Sequence, residues 1–523
     1  MRLATIDWIL VALYFAGVLG IGALARRRIH NTQDFLLAGR SVPLWMTGLA
    51  FMAANLGSLE IMGMISNGAK YGMLTNHYYW VGAIPAMVFL AVFMMRIYYD
   101  TGVRSVPEYL KRRFDWRAHL LNSLTFAVMT ILMSGINMFA LAVVFTSMLG
   151  WSFNTSVLAS AGIVVAYTFM GGLASSIYNE VLQFGLIVVG FLPLSIMALH
   201  AAGGWRGLAR ALPDAKLHTW LYMGTAHNAL GANWLVVSFG LGFVMSFAYW
   251  STDFLLVQRA MAARSLADAQ RTPLLAAIPK MLFPFLVTVP GLCAAALFGP
   301  ELQHDYNDAL PLLLGKFYGP GLLGLGITAL LASFMSGMAG NITAFNTVWT
   351  YDIYQTYLAP DRGDRHYLHV ARAATFVGTA LSVAAAYIVL RFDNLMDYMQ
   401  LVASFFIAPL FATFFLGMFW RRSNSSGAFY GMIAGVAGSM GHYAAYRLGW
   451  LHYSSDMAPT FYGAICGWTA AMAVTIAVSL ATPPPVLKEE TLVYQRKRVW
   501  DTKLAMQGLA ILAALTLLDW IFR

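Results

Sequence analysis

The chain is a succession of apolar stretches, each long enough to cross a bilayer, joined by short polar connections. A spanning helix needs about 20 largely apolar residues. Lipid also forces every backbone polar group to find its partner inside the protein, so only helices and closed barrels can span. Runs of this length select helices. About fourteen spans are predicted, near residues 7–25, 44–68, 74–98, 119–148, 153–173, 177–199, 233–257, 273–298, 320–350, 367–390, 395–419, 427–446, 460–482 and 503–521. Composition agrees, with 59% of the 523 residues hydrophobic and 11% charged, where a soluble domain carries roughly a quarter. The expectation is an all-α polytopic membrane protein forming a single transmembrane domain, residues 1–523, without a soluble appendage. Asp7 precedes the first run and Arg26–Arg28 follow it, the reverse of a secretory signal. That run is read as a retained helix.

The net charge of +10 is explained by its distribution. With the N-terminus outside, the connections on the cytoplasmic side and their flanks hold 23 of the 33 Lys and Arg residues, among them Arg26–Arg28, Lys111–Arg113, Arg421, Arg422 and Arg496–Arg498. The positive-inside rule then places both termini outside, in a plasma (inner) membrane, and makes the charge a topology signal. No nucleic-acid partner is inferred, and no obligate protein partner beyond the lipid bilayer. Gly427, Gly431, Gly435 and Ser439 recur every four residues, a spacing that lets two helices approach closely in lipid. Cys293 and Cys466 both lie in apolar runs and suggest neither a disulfide framework nor a metal knuckle.

Ionisable side chains near the bilayer centre are costly and carry a functional hypothesis by default. They are Glu60, Glu180, Asp253 and Lys280, with Asp352 and Asp397 nearer helix ends and better read as structural ion pairs. Around Glu60 the sequence AANLGSLEIMG (53–63) sets Gly57–Ser58 in mid-span, where an unwound turn would expose carbonyls; such backbone is tolerated at this depth only when buried in protein or lining a cavity. Five spans later, SFAYWSTD (246–253) again interrupts an apolar run. Paired interrupted segments in two halves point to a transporter's binding site, and the odd spacing makes the second half inverted. Ser333 and Ser336 share one helix face. Their hydroxyls suit a small hard cation or bond back to the helix or across it; the pattern leaves both open.

Several motifs, in order, carry a resemblance: DFLLAGRSVPLW (34–45), AANLGS (53–58), VPEYLKRRF (106–114), GGLASSIYNEVLQ (171–183), YWSTDFLLVQR (249–259), WTYDIY (349–354) and FWRRSNSSGAF (419–429). The chain resembles the sodium:solute symporter family, which includes the sodium–glucose cotransporters. The resemblance implies a LeuT-type core of five plus five inverted helices, with repeats at 34–200 and 230–420, an extra helix within 1–33 and accessory helices over 421–523. It implies a sodium site of Ala53, Leu56, Ser333 and Ser336, with Gly337 where a second hydroxyl is usual and Glu180 near the ion path in place of the usual Thr-Asp pair. It also implies a solute pocket of Glu60, Tyr79, Ser246, Tyr249, Lys280 and Gln400. Lys280, Gln400 and the gating aromatic Tyr249 agree with the sugar-carrying branch, whereas Tyr79, Ser246 and Glu60 replace other polar residues there. The activity implied is cation-coupled import of a small polar solute, a sugar above all, by alternating access. Na+ is the coupling ion and H+ the alternative, with no organic cofactor; a polyol or a cationic solute would also suit Glu60. A membrane enzyme lacks support, for the chain has no HExxH, metal-spaced His/Cys set or Gly-rich phosphate loop. A passive channel or a sensor is the remaining alternative; sensors of the family carry a long signalling tail, and the last span here ends at the C-terminus.

Overall fold

Helix follows the apolar runs because a backbone in lipid must bond within its own segment. The computed structural model describes residues 3–523 apart from 27–31, 226, 228–229, 304, 392–394, 487–491 and 497–499. Arg27, Arg28, Lys488, Lys497 and Arg498, counted above as cytoplasmic, lie outside the described residues. The principal helices are α1 (Thr5–Arg26), α2 (Leu44–Asn55), α3 (Ser58–Tyr71), α4 (Tyr78–Asp100), α5 (Trp116–Leu149), α6 (Phe153–Ala201), α7 (Trp234–Thr252) and α8 (Phe254–Met261). They continue with α9 (Leu266–Phe298), α10 (Leu322–Leu358), α11 (Asp364–Val389), α12 (Leu395–Phe419), α13 (Ser425–Arg447), α14 (Ala458–Ala481) and α15 (Thr502–Ile521). Among the described residues the only extended pairing is an isolated bridge between Val42 and Ala263.

Among the described residues eleven helices are long and apolar enough to cross a membrane, and the pair α2–α3, bent by 58°, brings the number to twelve. The expected fourteen is not reached among these: the expected span at 153–173 runs into residues 166–172, whose side chains lie outside the description, and the hydropathy of α13 is diluted by its glycines, serines and His442. Both ends of α6 nevertheless lie at one level of the bundle. Near its start, Asn154 accepts from Tyr387 at the end of α11 (2.8 Å), and near its end Gly190 accepts from Tyr318, just before α10 begins (2.6 Å).

The glycine stripe does what its spacing suggests. Gly427, Gly431 and Gly435 of α13 press against Ser479, Thr475 and Ala471 of α14 with no room for a Cβ between them. Asp7 accepts from the backbone N–H groups of Gly321 and Gly324, both at 2.7 Å, tying the start of α1 to the start of α10. Phe522 accepts from the Thr219 N–H at 3.0 Å, in the connection after α6. The two chain ends therefore share one side of the bundle. The opposite side carries Arg117 at the start of α5 and Arg365 at the start of α11, and there His119 of α5 meets Asp352 near the end of α10 at 2.9 Å.

Candidate functional site

The site begins at the bend between α2 and α3. Gly57 supplies it by steric necessity: a Cβ there would stand 2.5 Å from Asn137 Oδ1 of α5. Leu56 and Gly57 leave the helical conformation (φ −84°, ψ 49° and φ −65°, ψ 168°), which ends the regular ladder of α2, the Ala53 carbonyl accepting from the Leu56 N–H at 2.8 Å. Ser336 Oγ of α10 donates to the Ala53 carbonyl at 2.8 Å, and Ser333 Oγ donates to the Leu56 carbonyl at 2.6 Å. Four oxygens thus converge, two carbonyls from a broken helix and two hydroxyls three residues apart on one helix face. All four residues are buried. Oxygen donors of this kind replace the hydration shell of a hard cation.

The second break follows α7. Asp253 is extended (φ −74°, ψ 117°), and its carboxylate accepts from the Leu255 N–H at 2.9 Å, capping α8. Such a cap satisfies one of the orphan donors at a helix start and explains this carboxylate at membrane depth.

Between the two breaks lies a small cavity bordered by Glu60, Tyr79, Ser246, Tyr249, Lys280 and Gln400 together. Lys280 Nζ donates to Glu60 Oε1 at 2.6 Å and also to Asn55 Oδ1. The rings of Tyr79, Trp250 and Phe283 surround the ammonium at 4.7, 5.3 and 5.4 Å; a cation over aromatic faces gains most when desolvated. Asn55 Nδ2 donates to the Tyr249 hydroxyl at 3.1 Å. Ser246 donates to the Leu241 carbonyl of its own helix at 2.8 Å. The Tyr79 hydroxyl is buried beside the Glu60 carboxylate. Asn55, Glu60 and Tyr249 also border a second small cavity, where Asn137, Asp253 and Asn341 present polar groups. Tyr249 therefore stands in the wall between two chambers.

A model of the sodium:solute symporter family matches residues 35–435. The chain belongs to that family. It is similar to the sodium/glucose cotransporter of Vibrio parahaemolyticus, 27% identical, with 83% of this chain and 84% of that one covered. It is also similar to sodium/glucose cotransporter 2 of Rattus norvegicus (30%, covering 82% and 70%) and to the human (Homo sapiens) sodium/myo-inositol cotransporter (27%, covering 93% and 75%). Among solved structures, a substrate-bound, outward-open Na+-coupled sialic acid symporter superposes with a TM-score of 0.77 at 20% identity, covering 92% of this chain and 99% of that one. At that identity the likeness shows the fold, which is that of LeuT-like transporters. The protein is a multi-pass membrane transporter of a sodium-coupled family.

Not every residue singled out in the symporter's sequence joins the two clusters. The described contacts of Glu180 are elsewhere: Arg259 Nη2 reaches Glu180 Oε1 at 2.5 Å and Ser176 donates to it at 2.7 Å, with both ionic side chains fully buried. Asp352 is hydrogen-bonded to His119 at 2.9 Å, and Asp397 is ion-paired with Lys70 at 3.3 Å. Sequence reasoning missed the aromatic cage of Trp250 and Phe283, and the methionines Met64, Met245, Met396 and Met399 that form the cavity's apolar side. The adjacency of Trp250 to Tyr249 was a signal; the methionines look like ordinary core.

Gly337, the departure from the family pattern, is where α10 meets the bend: a Cβ there would lie 2.8 Å from the Gly57 Cα. Backbone cannot yield as a flexible side chain does, and overpacking of this kind costs about 1–3 kcal/mol. Gly337→Ser is therefore expected to lower both thermal stability and uptake instead of tightening sodium binding. A lower sodium requirement for uptake in that variant would show that the bend has room for the extra hydroxyl.

Proposed function

We propose that this chain is a sodium-coupled importer of a small, neutral, hydroxyl-rich solute, a sugar above all, working by alternating access. One observation carries the reading. Asn55 lies between Ala53 and Leu56, whose carbonyls face Ser336 and Ser333, and its side chain reaches both Lys280 and Tyr249 in the cavity. An ion ordering the bend thereby also orders the solute cavity, and a ligand shifts a conformational equilibrium only through such differential contact.

In this scheme sodium enters from outside, takes the oxygens of Ala53, Leu56, Ser333 and Ser336, and fixes the bend. The solute then occupies the cavity, its hydroxyls meeting Glu60, Gln400, Ser246 and the Tyr79 hydroxyl, and its apolar face meeting the methionines and Tyr249. Inverted repeats at 34–200 and 230–420, with accessory helices around them, rock about the site. Tyr249 yields, and the solute passes to the chamber of Asn341 and Asp253 on the cytoplasmic side. Both termini are extracytoplasmic and the membrane is the plasma (inner) membrane. Glu180, held by Arg259, serves the ion path through that pair instead of as a direct ligand. One charge moved with the membrane potential supplies roughly 2.3 kcal/mol per 100 mV, which supports more than about tenfold accumulation. A cationic solute suits the cavity less well, since the Lys280 ammonium already occupies the Glu60 carboxylate within its aromatic cage.

Ser336→Ala removes one oxygen from the ion cluster. The sodium concentration for half-maximal uptake of radiolabelled D-glucose or myo-inositol in proteoliposomes is expected to rise about three- to tenfold, the range of one hydrogen-bonding contact. An unchanged sodium requirement would move the ion site elsewhere.

A further inference from the structure

Glu60 sits in the first turn of α3. Seven and eleven residues on, Asn67 and Tyr71 recur on the same face, for seven residues are almost two helical turns and four more complete a third. Asn67 thus stands about 10 Å beyond Glu60 along the helix, toward the side that holds the chain termini. Its side chain has no exposed surface, and neither its amide nitrogen nor its amide oxygen has a hydrogen-bond partner. The Tyr71 hydroxyl is buried and unpartnered as well, and the same holds for a polar atom of Ser66, Thr75, Asn76 and His77. A buried amide without partners costs about 1–3 kcal/mol, and native interiors contain few such groups. Here they concentrate in one short segment. Over the same end of α3, Lys70 pairs with Asp397 of α12 at 3.3 Å, with Asp456 at 4.0 Å, and lies over the Tyr71 ring at 4.9 Å. Asp397 is three residues before Gln400, so this pair joins the two helices that carry Glu60 and Gln400 into the cavity.

We propose that Asn67 and Tyr71 form an outer station on the solute's way to Glu60, shut in this conformer beneath a latch of Lys70 and Asp397. The unpaired amide makes the shut state costly, and water or solute hydroxyls relieve that cost when the helices part. The latch opposes it. The two effects are of similar size, so small changes in either move the equilibrium. That the station receives sugar or polyol hydroxyls rests on the proposed function; that it opens does not.

The test uses the full chain in lipid nanodiscs, where both faces are accessible, with Cys293→Ala and Cys466→Ser removing the native thiols and Tyr71→Cys as the reporter. The rate of modification by a membrane-impermeant methanethiosulfonate is followed in sodium chloride. Lys70→Ala is expected to raise it about two- to fivefold, the shift that a partly exposed ion pair supports. Asn67→Leu, which removes the buried amide, is expected to lower it about fivefold or more. D-glucose or myo-inositol is expected to slow it in the parent. Size-exclusion profiles identify any variant that has not folded, and Asn67→Ala, a smaller change, then replaces Asn67→Leu. Modification only after denaturation, or a rate that neither substitution moves in folded protein, would overturn the proposal. Rates that respond to both substitutions while neither sugar protects would uphold the station and count against the sugar reading.

Discussion

Lys280→Ala is expected to reduce sodium-driven uptake by at least about a hundredfold while the protein still inserts. The ammonium is 1% exposed and holds the Glu60 carboxylate at 2.6 Å. Removing one partner of a buried ion pair costs about 3–5 kcal/mol, because the remaining charge has neither water nor counter-ion. The Glu60 carboxylate would then be stranded, and Asn55 would lose one of its two ties to the cavity, keeping that to Tyr249. Stability and function separate in a double substitution. Lys280→Met with Glu60→Gln leaves no stranded charge, so thermal stability should recover toward that of the parent while uptake stays low. Gln400→Ala, which removes a neutral polar group, should cost less, about tenfold. Proteoliposome uptake read alongside thermal unfolding of the purified protein checks all three. Uptake within twofold of the parent in Lys280→Ala would remove that residue from the solute's path.

Arg259→Ala is expected to give the largest loss of stability. Arg259 and Glu180 are both fully buried, and their pairing is supported by Ser176, by Gln258 at 3.1 Å and by the Leu255 carbonyl at 2.7 Å. The pair joins α8, just after the second break, to α6. Deleting the guanidinium strands the Glu180 carboxylate, again at about 3–5 kcal/mol; for a marginally stable protein this is a large share of the total. The expected outcome is poor yield of folded protein and a markedly lower unfolding temperature, partly restored by adding Glu180→Gln. If Arg259→Ala unfolds like the parent, the pair does not hold these helices, and the proposed influence of Glu180 on the ion path loses its basis.

The parts of this architecture that were legible in the sequence are those written locally. Gly57–Ser58 within an apolar run announced the first break, and the hydroxyls and carboxylate of 246–253 the second, because helical backbone and membrane depth allow few reasons for such residues. Ser333 and Ser336 shared a face by spacing alone, but only the fold shows that this face meets the Ala53 and Leu56 carbonyls. The partner of each buried charge was not legible. Glu60 and Lys280 are 220 residues apart, and Glu180 and Arg259 are 79 apart. No local rule links them. The span at 427–446 is read from a run rich in glycine and serine, and the helix found there packs on those small residues. No local pattern links Lys70 to Asp397 on Gln400's helix either.

Purified protein in proteoliposomes, given an inward sodium gradient and radiolabelled D-glucose or myo-inositol, provides the most direct test of coupling between the bend and the cavity. Accumulation above the external concentration is expected, collapsing when a sodium ionophore is added and requiring more sodium in Ser336→Ala. Uptake that merely equilibrates, with the same rate in sodium and in choline, would contradict it.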